Sequence, residues 1–299
     1  MEENIQRKKI SLILEVIIFL GIVFIGILLF YSLNDKYNLT QKLNDNLYLS
    51  NESTVEEENK LYIKNLKKNY GINVEYGEKT LTLVKNNSAI IQCDENIVNN
   101  NLKIITQALE KYPIDIFDMS KSKKYPINII LVNNFTNNNL ALASRSSLNE
   151  FRIYISNTQN FERAFHHEMY HILEYYMSDT HKYLYASWNT LNPEDFEYEE
   201  DISKLNNKYV YNENMQNSLQ KQNDAENILE NENPYFVTKY SKTTQKEDRA
   251  EIFAELMVAT KKYKYLTEGQ NIKKKVDLIV STVKKNITIN NFYFYKFID

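Results

Sequence analysis

The sequence predicts a mixed α+β fold, helices backed by a twisted sheet, behind one N-terminal transmembrane helix. Three observations lead there. Short alternating or wholly apolar runs at residues 72–76, 127–132 and 151–155 read as strands. Longer runs at 94–112, 161–176, 247–261 and 272–287 place apolar residues every three or four positions and read as amphipathic helices. Residues 10–33 are almost continuously apolar and long enough to cross a bilayer.

In order along the chain, Arg7, Lys8 and Lys9 precede the apolar segment, which places the N-terminus in the cytoplasm and the remainder outside the cell. No A-x-A site follows, so an uncleaved anchor over residues 1–33 is expected rather than a signal peptide. Residues 34–59 are Asn-rich and acidic and read as a stalk, leaving 60–299 for the folded domain. A helix leads into that domain over 54–70, with Gly71 suited to its C-cap. Gly77-Glu78-Lys79 reads as a turn that returns residues 81–84 as the second arm of a hairpin with 72–76. Residues 89–93 form a further short strand, and Pro113 closes the helix of 94–112. Residues 133–139 read as a loop. The strand at 151–155 ends just before the helix of 161–176, where it could form the rim of a cleft and take an extended ligand by strand addition. Residues 205–233 are dense in Asn, Gln and Glu and read as a loop or surface helix.

Composition narrows the function classes. The formal net charge is −3 with no basic excess, so nothing supports nucleic-acid binding. Cys93 is the only cysteine, which excludes an intrachain disulfide and a cysteine metal site. The chain has four histidines, and His166, His167 and His171 fall together on one predicted helix.

That helix carries His167-Glu168-Met169-Tyr170-His171, an H-E-x-x-H segment. Residues four apart lie one turn apart on one helix face, so His167 and His171 can hold a single metal ion. Glu168 lies about 100° around from His167, beside such an ion rather than on it. From there a carboxylate can take a proton from a metal-activated water, the arrangement of a zinc hydrolase. Phe161, Phe165, Met169, Ile172, Leu173 and Tyr176 fall on the opposite side, so one face can enter a core while the histidines face a cleft. Asn157 and Thr158 are the candidate N-caps. The competing reading is three histidines on a solvated surface.

A catalytic zinc takes three protein ligands and leaves a position for water. A third histidine six residues past the second is excluded, because Met177 stands there. His181 is the only other histidine and lies in a polar connection. Glu197 with Asp201 gives an E-x-x-x-D spacing in a stretch without an apolar stripe. Glu251 lies on the helix of 247–261, whose stripe of Ala250, Phe253, Ala254 and Met257 can hold it rigidly. On that helix Asp248, Glu251 and Glu255 share a face. Spacing leaves these alternatives open. Glu174, one turn beyond Tyr170, is a candidate to orient His171.

Taken with the later segments Trp188-Asn-Thr-Leu-Asn-Pro193 and Tyr240-Ser-Lys-Thr-Thr-Gln-Lys-Glu-Asp-Arg-Ala-Glu251-Ile-Phe-Ala-Glu255, the histidine motif resembles the catalytic domains of anthrax lethal-factor-like and Pro-Pro-endopeptidase-like zinc peptidases. It is still more similar to a group of candidate bacterial zinc metallopeptidases with Y-[ST]-x-T, E-D-x-A-E-x-F-A and W-x-x-L-N-P segments, over about residues 70–257. The resemblance implies a zincin-like domain and zinc (Zn2+) as cofactor, held by His167, His171 and Glu251. It also implies Glu168 as general base, Tyr240 as a hydroxyl that stabilises the oxyanion, and His166 as a bystander. The expected function is a membrane-anchored zinc metalloendopeptidase acting on a peptide or protein substrate outside the cell. The alternative is an inactive zinc-binding or metal-free envelope interaction module.

Overall fold

The computed structural model describes residues 54–136, 140–145, 150–180, 184–198, 234–260, 268–287 and 292–298. The predicted anchor, most of the predicted stalk, His181, Asp201 and residues 205–233 lie outside the described residues. No helix among the described residues is long and apolar enough to cross a membrane.

Helix α1 (Val55–Tyr70) opens with Glu56, Glu57 and Glu58 and ends with Lys67 and Lys68, charges that complement the helix dipole at both ends. It stops at Gly71, whose φ of 70° caps it and whose N–H donates to the Lys67 carbonyl. A Cβ on Gly71 would lie 2.6 Å from the Lys121 backbone nitrogen, so glycine is required there for two reasons. Strand β1 (Asn73–Glu75) follows.

The expected hairpin is not formed. Gly77, at φ 75°, turns the chain into a 3₁₀ turn (Glu78–Thr80) and then helix α2 (Leu81–Asn86). Four residues are too few for alternation to be told from helical spacing. In the helix Val84 is buried and Leu81 is exposed. Strand β2 (Ala89–Ile91) and helix α3 (Glu95–Leu109) come next, the latter capped by Asp94, which accepts from the Asn96 and Ile97 amides. A short helix α4 (Asp118–Lys121) leads to strand β3 (Ile127–Phe135), which runs on through part of the expected loop. Strand β4 (Ala141–Arg145) was not anticipated. Strand β5 (Phe151–Ser156) then enters helix α5 (Phe161–Thr180). In that connection Thr158 Oγ1 accepts from the Asn160 amide and the Thr158 carbonyl from Phe161.

The sheet has five strands in the order β1-β3-β5-β4, with β2 also on β3. β1 and β5 pair parallel to β3; β2 and β4 are antiparallel to their neighbours. β5 is therefore flanked on both sides, and its backbone groups are committed to β3 and β4. It cannot accept an added strand; among the described residues the edge on that side of the sheet is β4.

Both sheet faces are covered, as the period of two along each strand requires. Ile127, Ile129 and Leu131 of β3 and Phe151, Ile153 and Ile155 of β5 enter the main core beneath the helices. Ile130, Val132, Leu142 and Tyr154 enter a smaller core with Val84 of α2, and Tyr240 packs against it. Helices α6 (Gln245–Val258), α7 (Gln270–Asn286) and α8 (Tyr295–Ile298) complete the helical layer, with Thr244 capping α6 through its hydroxyl.

Candidate metal centre

The site is built where α5 and α6 pack. Phe161, Phe165, Met169, Ile172 and Leu173 of α5 are buried in the main core, on the face that their spacing predicts. The opposite face does not open on a cleft at this point. His166, His167, Glu168 and His171 are all buried, because α6 lies against them.

Two charged stripes meet at that contact. Arg163, His167 and His171 stand four apart along α5, and Glu247, Glu251 and Glu255 stand four apart along α6. They engage in antiparallel order. Arg163 pairs with Glu255 (3.3 Å) and Glu251 (2.8 Å), His167 with Glu251 and Glu247 (2.8 Å each), and His171 with Glu247 (3.3 Å). Buried charges are tolerated only when paired and hydrogen-bonded, and this ladder supplies the pairing.

Within the ladder three ligand atoms converge. His167 Nε2 lies 2.8 Å from Glu247 Oε2 and 3.1 Å from His171 Nε2, and His171 Nε2 lies 3.3 Å from Glu247 Oε2. These three residues form the one group among the described residues arranged to hold a metal ion. Ligand atoms about 2.0–2.1 Å from a tetrahedral ion stand roughly 3.3 Å apart, so the triangle is near the right size for one. Two imidazoles and a carboxylate are also a donor set that zinc accepts.

The resemblance implies Glu251 as the third member of this group; the ligand atoms that converge with those of His167 and His171 among the described residues are those of Glu247. Glu251 lies one turn further on, against the other nitrogen of the same ring: its Oε1 is 2.8 Å from His167 Nδ1. Oε1 also accepts from Arg163 Nη1 at 3.1 Å, while Oε2 accepts from Arg163 Nη2 at 2.8 Å and Thr238 Oγ1 at 2.7 Å. Each oxygen thus has two partners, which fills the lone-pair capacity of a carboxylate. Glu251 is positioned to fix the His167 ring.

Glu168 is 1% exposed. Burial pushes its pKa up, opposed by the nearby His167 and His171 and by a hydrogen bond from the Ala143 amide of β4. Its Oε2 is buried with no hydrogen-bond partner. Burial likewise works against the charge on His167, but its hydrogen bonds to Glu247 and Glu251 outweigh that and hold its pKa up at about 10. Glu247 and Glu251 stay well below the usual carboxylate range: burial opposes their charge, and the histidines, with Arg163 at Glu251, overcome it. Tyr240, in a 3₁₀ turn (Tyr240–Lys242), has its ring 5.8 Å from that of His167, so the structure brings it to the site.

The remaining charged residues of α6 brace it. Asp248 Oδ2 accepts from Trp188 Nε1 (3.0 Å), the half-buried Tyr198 (2.8 Å) and Lys275 Nζ (2.7 Å), with Trp188 and Lys275 fully buried. Arg249 forks onto Glu174 of α5 and lies over the rings of Tyr185 and Trp188. Glu174 is thus committed to Arg249 and does not orient His171. Glu197 is exposed and belongs to no group able to hold a metal among the described residues. His166 points elsewhere: its Nδ1 meets the Tyr112 hydroxyl at 2.7 Å, and burial lowers its pKa to about 4.

Comparison with known proteins adds little. No protein-family model matches the chain, and no curated protein matches it. Among solved structures it is similar to a candidate zinc-binding metallo-peptidase from Bacteroides caccae, with 14% identity and a TM-score of 0.48 over 83% of this chain and 93% of that one.

Proposed function

We propose that this chain is a zinc-dependent peptidase of zincin type in which His167, His171 and Glu247 hold the metal and Glu168 is the general base. The observation that carries the proposal is the convergence of three ligand atoms beside a buried carboxylate oxygen, Glu168 Oε2, that has no partner. Zinc bound there would supply a Lewis acid for the scissile carbonyl and lower the pKa of water. Glu168 takes the proton of the attacking water and passes it to the leaving amine. With a metal in place of the Nε2 proton, Glu251 would accept from His167 Nδ1–H and fix the tautomer whose Nε2 faces the ion. Tyr240 is assigned to the oxyanion on the closeness of its ring to His167. The open edge of β4, which already reaches Glu168 through Ala143, is the strand an extended peptide would pair with. Residues 10–33 would anchor the chain with this domain outside the cell, supported by Arg7, Lys8 and Lys9 on the preceding side.

The test is peptide-library hydrolysis by the zinc-loaded full-length protein beside Glu168→Gln. Cleavage by wild type, lost in the variant with zinc retained, is the expected result. Zinc bound with no member of the library cut would leave a metal-binding module and remove the peptidase.

A further inference from the structure

The triangle is not equally enclosed on all sides. The His167 side chain is 3% exposed, those of His171 and Glu247 9% and 12%, so the little solvent exposure the triangle has lies beside the latter two. One turn beyond His171 on α5 stands Tyr175, and next to Glu247 on α6 stands Lys246, whose ammonium lies 5.3 Å from the centre of the Tyr175 ring. The Tyr175 ring stacks on Phe151, and the guanidinium of Arg145, at the end of the edge strand β4, lies 5.9 Å from the Tyr175 ring. Two cations thus share one aromatic platform a helical turn beyond His171.

Their charges are answered differently. Arg145 forks onto Asp179, at 3.2 and 2.9 Å, and Asp179 also accepts from Tyr125. Lys246 has no carboxylate within ion-pair distance among the described residues. It is half-buried on a ring, where an ion pair is screened less than in open solvent.

We infer that Lys246 determines specificity, selecting substrates that carry a carboxylate on the side of the scissile bond lying toward Tyr175 and Arg145. The inference rests on the peptidase reading above and adds the substrate class. The carboxylate has two sources, an internal Asp or Glu side chain or the free end of the substrate chain.

The experiment uses zinc-loaded full-length protein and internally quenched peptides with Glu, Gln or Lys at each of three positions on either side of the bond, each made with amidated and with free C-termini. At one position Glu raises kcat/KM about fivefold over Gln, the size expected of one partly screened ion pair. A gain confined to the free-terminus series would instead identify the chain end as the source. Either gain disappears in Lys246→Met, persists in Lys246→Arg and gives way to a preference for Lys in Lys246→Glu, while cleavage of the Gln peptides stays within about twofold of wild type. Equal cleavage of Glu, Gln and both termini, or a carboxylate preference that survives in Lys246→Met, overturns the inference and leaves the peptidase reading standing. No cleavage of any peptide by zinc-bound wild type overturns that reading and the inference with it.

Discussion

Glu247 and Glu251 carry the same side chain one helical turn apart, yet they meet opposite nitrogens of one imidazole. Their substitutions should therefore differ. Glu251→Gln keeps an acceptor on His167 Nδ1 but weakens the support of the ring, so zinc should still bind at one per chain with affinity about 10–100-fold lower in a chelator competition. Glu168→Gln should leave that affinity unchanged and reduce peptide hydrolysis by about 10²–10⁴-fold in steady-state kinetics. His167, His171 and Glu168 stand out in the sequence because H-E-x-x-H is compact and its geometry on a helix is fixed. Which carboxylate joins them was harder, since α6 offers Glu247, Glu251 and Glu255 on one stripe. Only the axial offset between two helices selects among them, and a one-turn slip exchanges Glu247 for Glu251. A signal was present nonetheless: Arg163, His167 and His171 repeat every four residues, and so do the three glutamates. Matching the basic stripe to the acidic one in antiparallel order, with Arg163 between Glu251 and Glu255, leaves Glu247 for the histidines.

At the scale of the element, α6 is held by residues that do no chemistry. Asp248 anchors it to Trp188, Tyr198 and Lys275. Lys275→Met would leave the Asp248 carboxylate buried without its countercharge and should destabilise the protein by about 3–5 kcal/mol in urea unfolding. Adding Asp248→Asn should restore part of that loss, because the unpaired charge is then gone. Trp188 stood out in the sequence as the only tryptophan, but its role depends on a contact across 60 residues that no local pattern encodes. Gly71→Ala should cost more than Gly77→Ala in the same measurement. Both need positive φ, but only Gly71 has backbone within 3 Å of the added carbon. The helices were legible because their periods run over several turns. Strand β4 was not, because Ala141-Leu-Ala-Ser-Arg145 is short and weakly apolar and takes its conformation from β5. Helix α2 was misread for a related reason, being a turn and a half long.

For the molecule as a whole, the layers follow from the strand periods. Alternate residues of β3 and β5 supply two cores, one beneath the long helices and one beneath α2 and Tyr240. The closing of α6 over the histidine face follows instead from pairing charges across 80 and more residues, and amphipathicity of either helix alone could not give it. A consequence is that a metal held between these helices would be linked to the fold. A ligand bound only by the native state at a thousandfold over its Kd stabilises by about 4 kcal/mol, which for a protein this size is roughly 10 °C in Tm. Calorimetry of the full-length protein with zinc and with a chelator should show a shift of that order, and an unchanged Tm would separate the fold from any metal.

The most direct test is the zinc content of purified full-length protein, wild type beside Glu247→Ala and Glu251→Ala. One zinc per wild-type chain, lost in Glu247→Ala and retained more weakly in Glu251→Ala, is the result expected of the His167, His171 and Glu247 triangle. Zinc kept by Glu247→Ala and lost by Glu251→Ala, or no zinc in a folded wild-type protein, would contradict it.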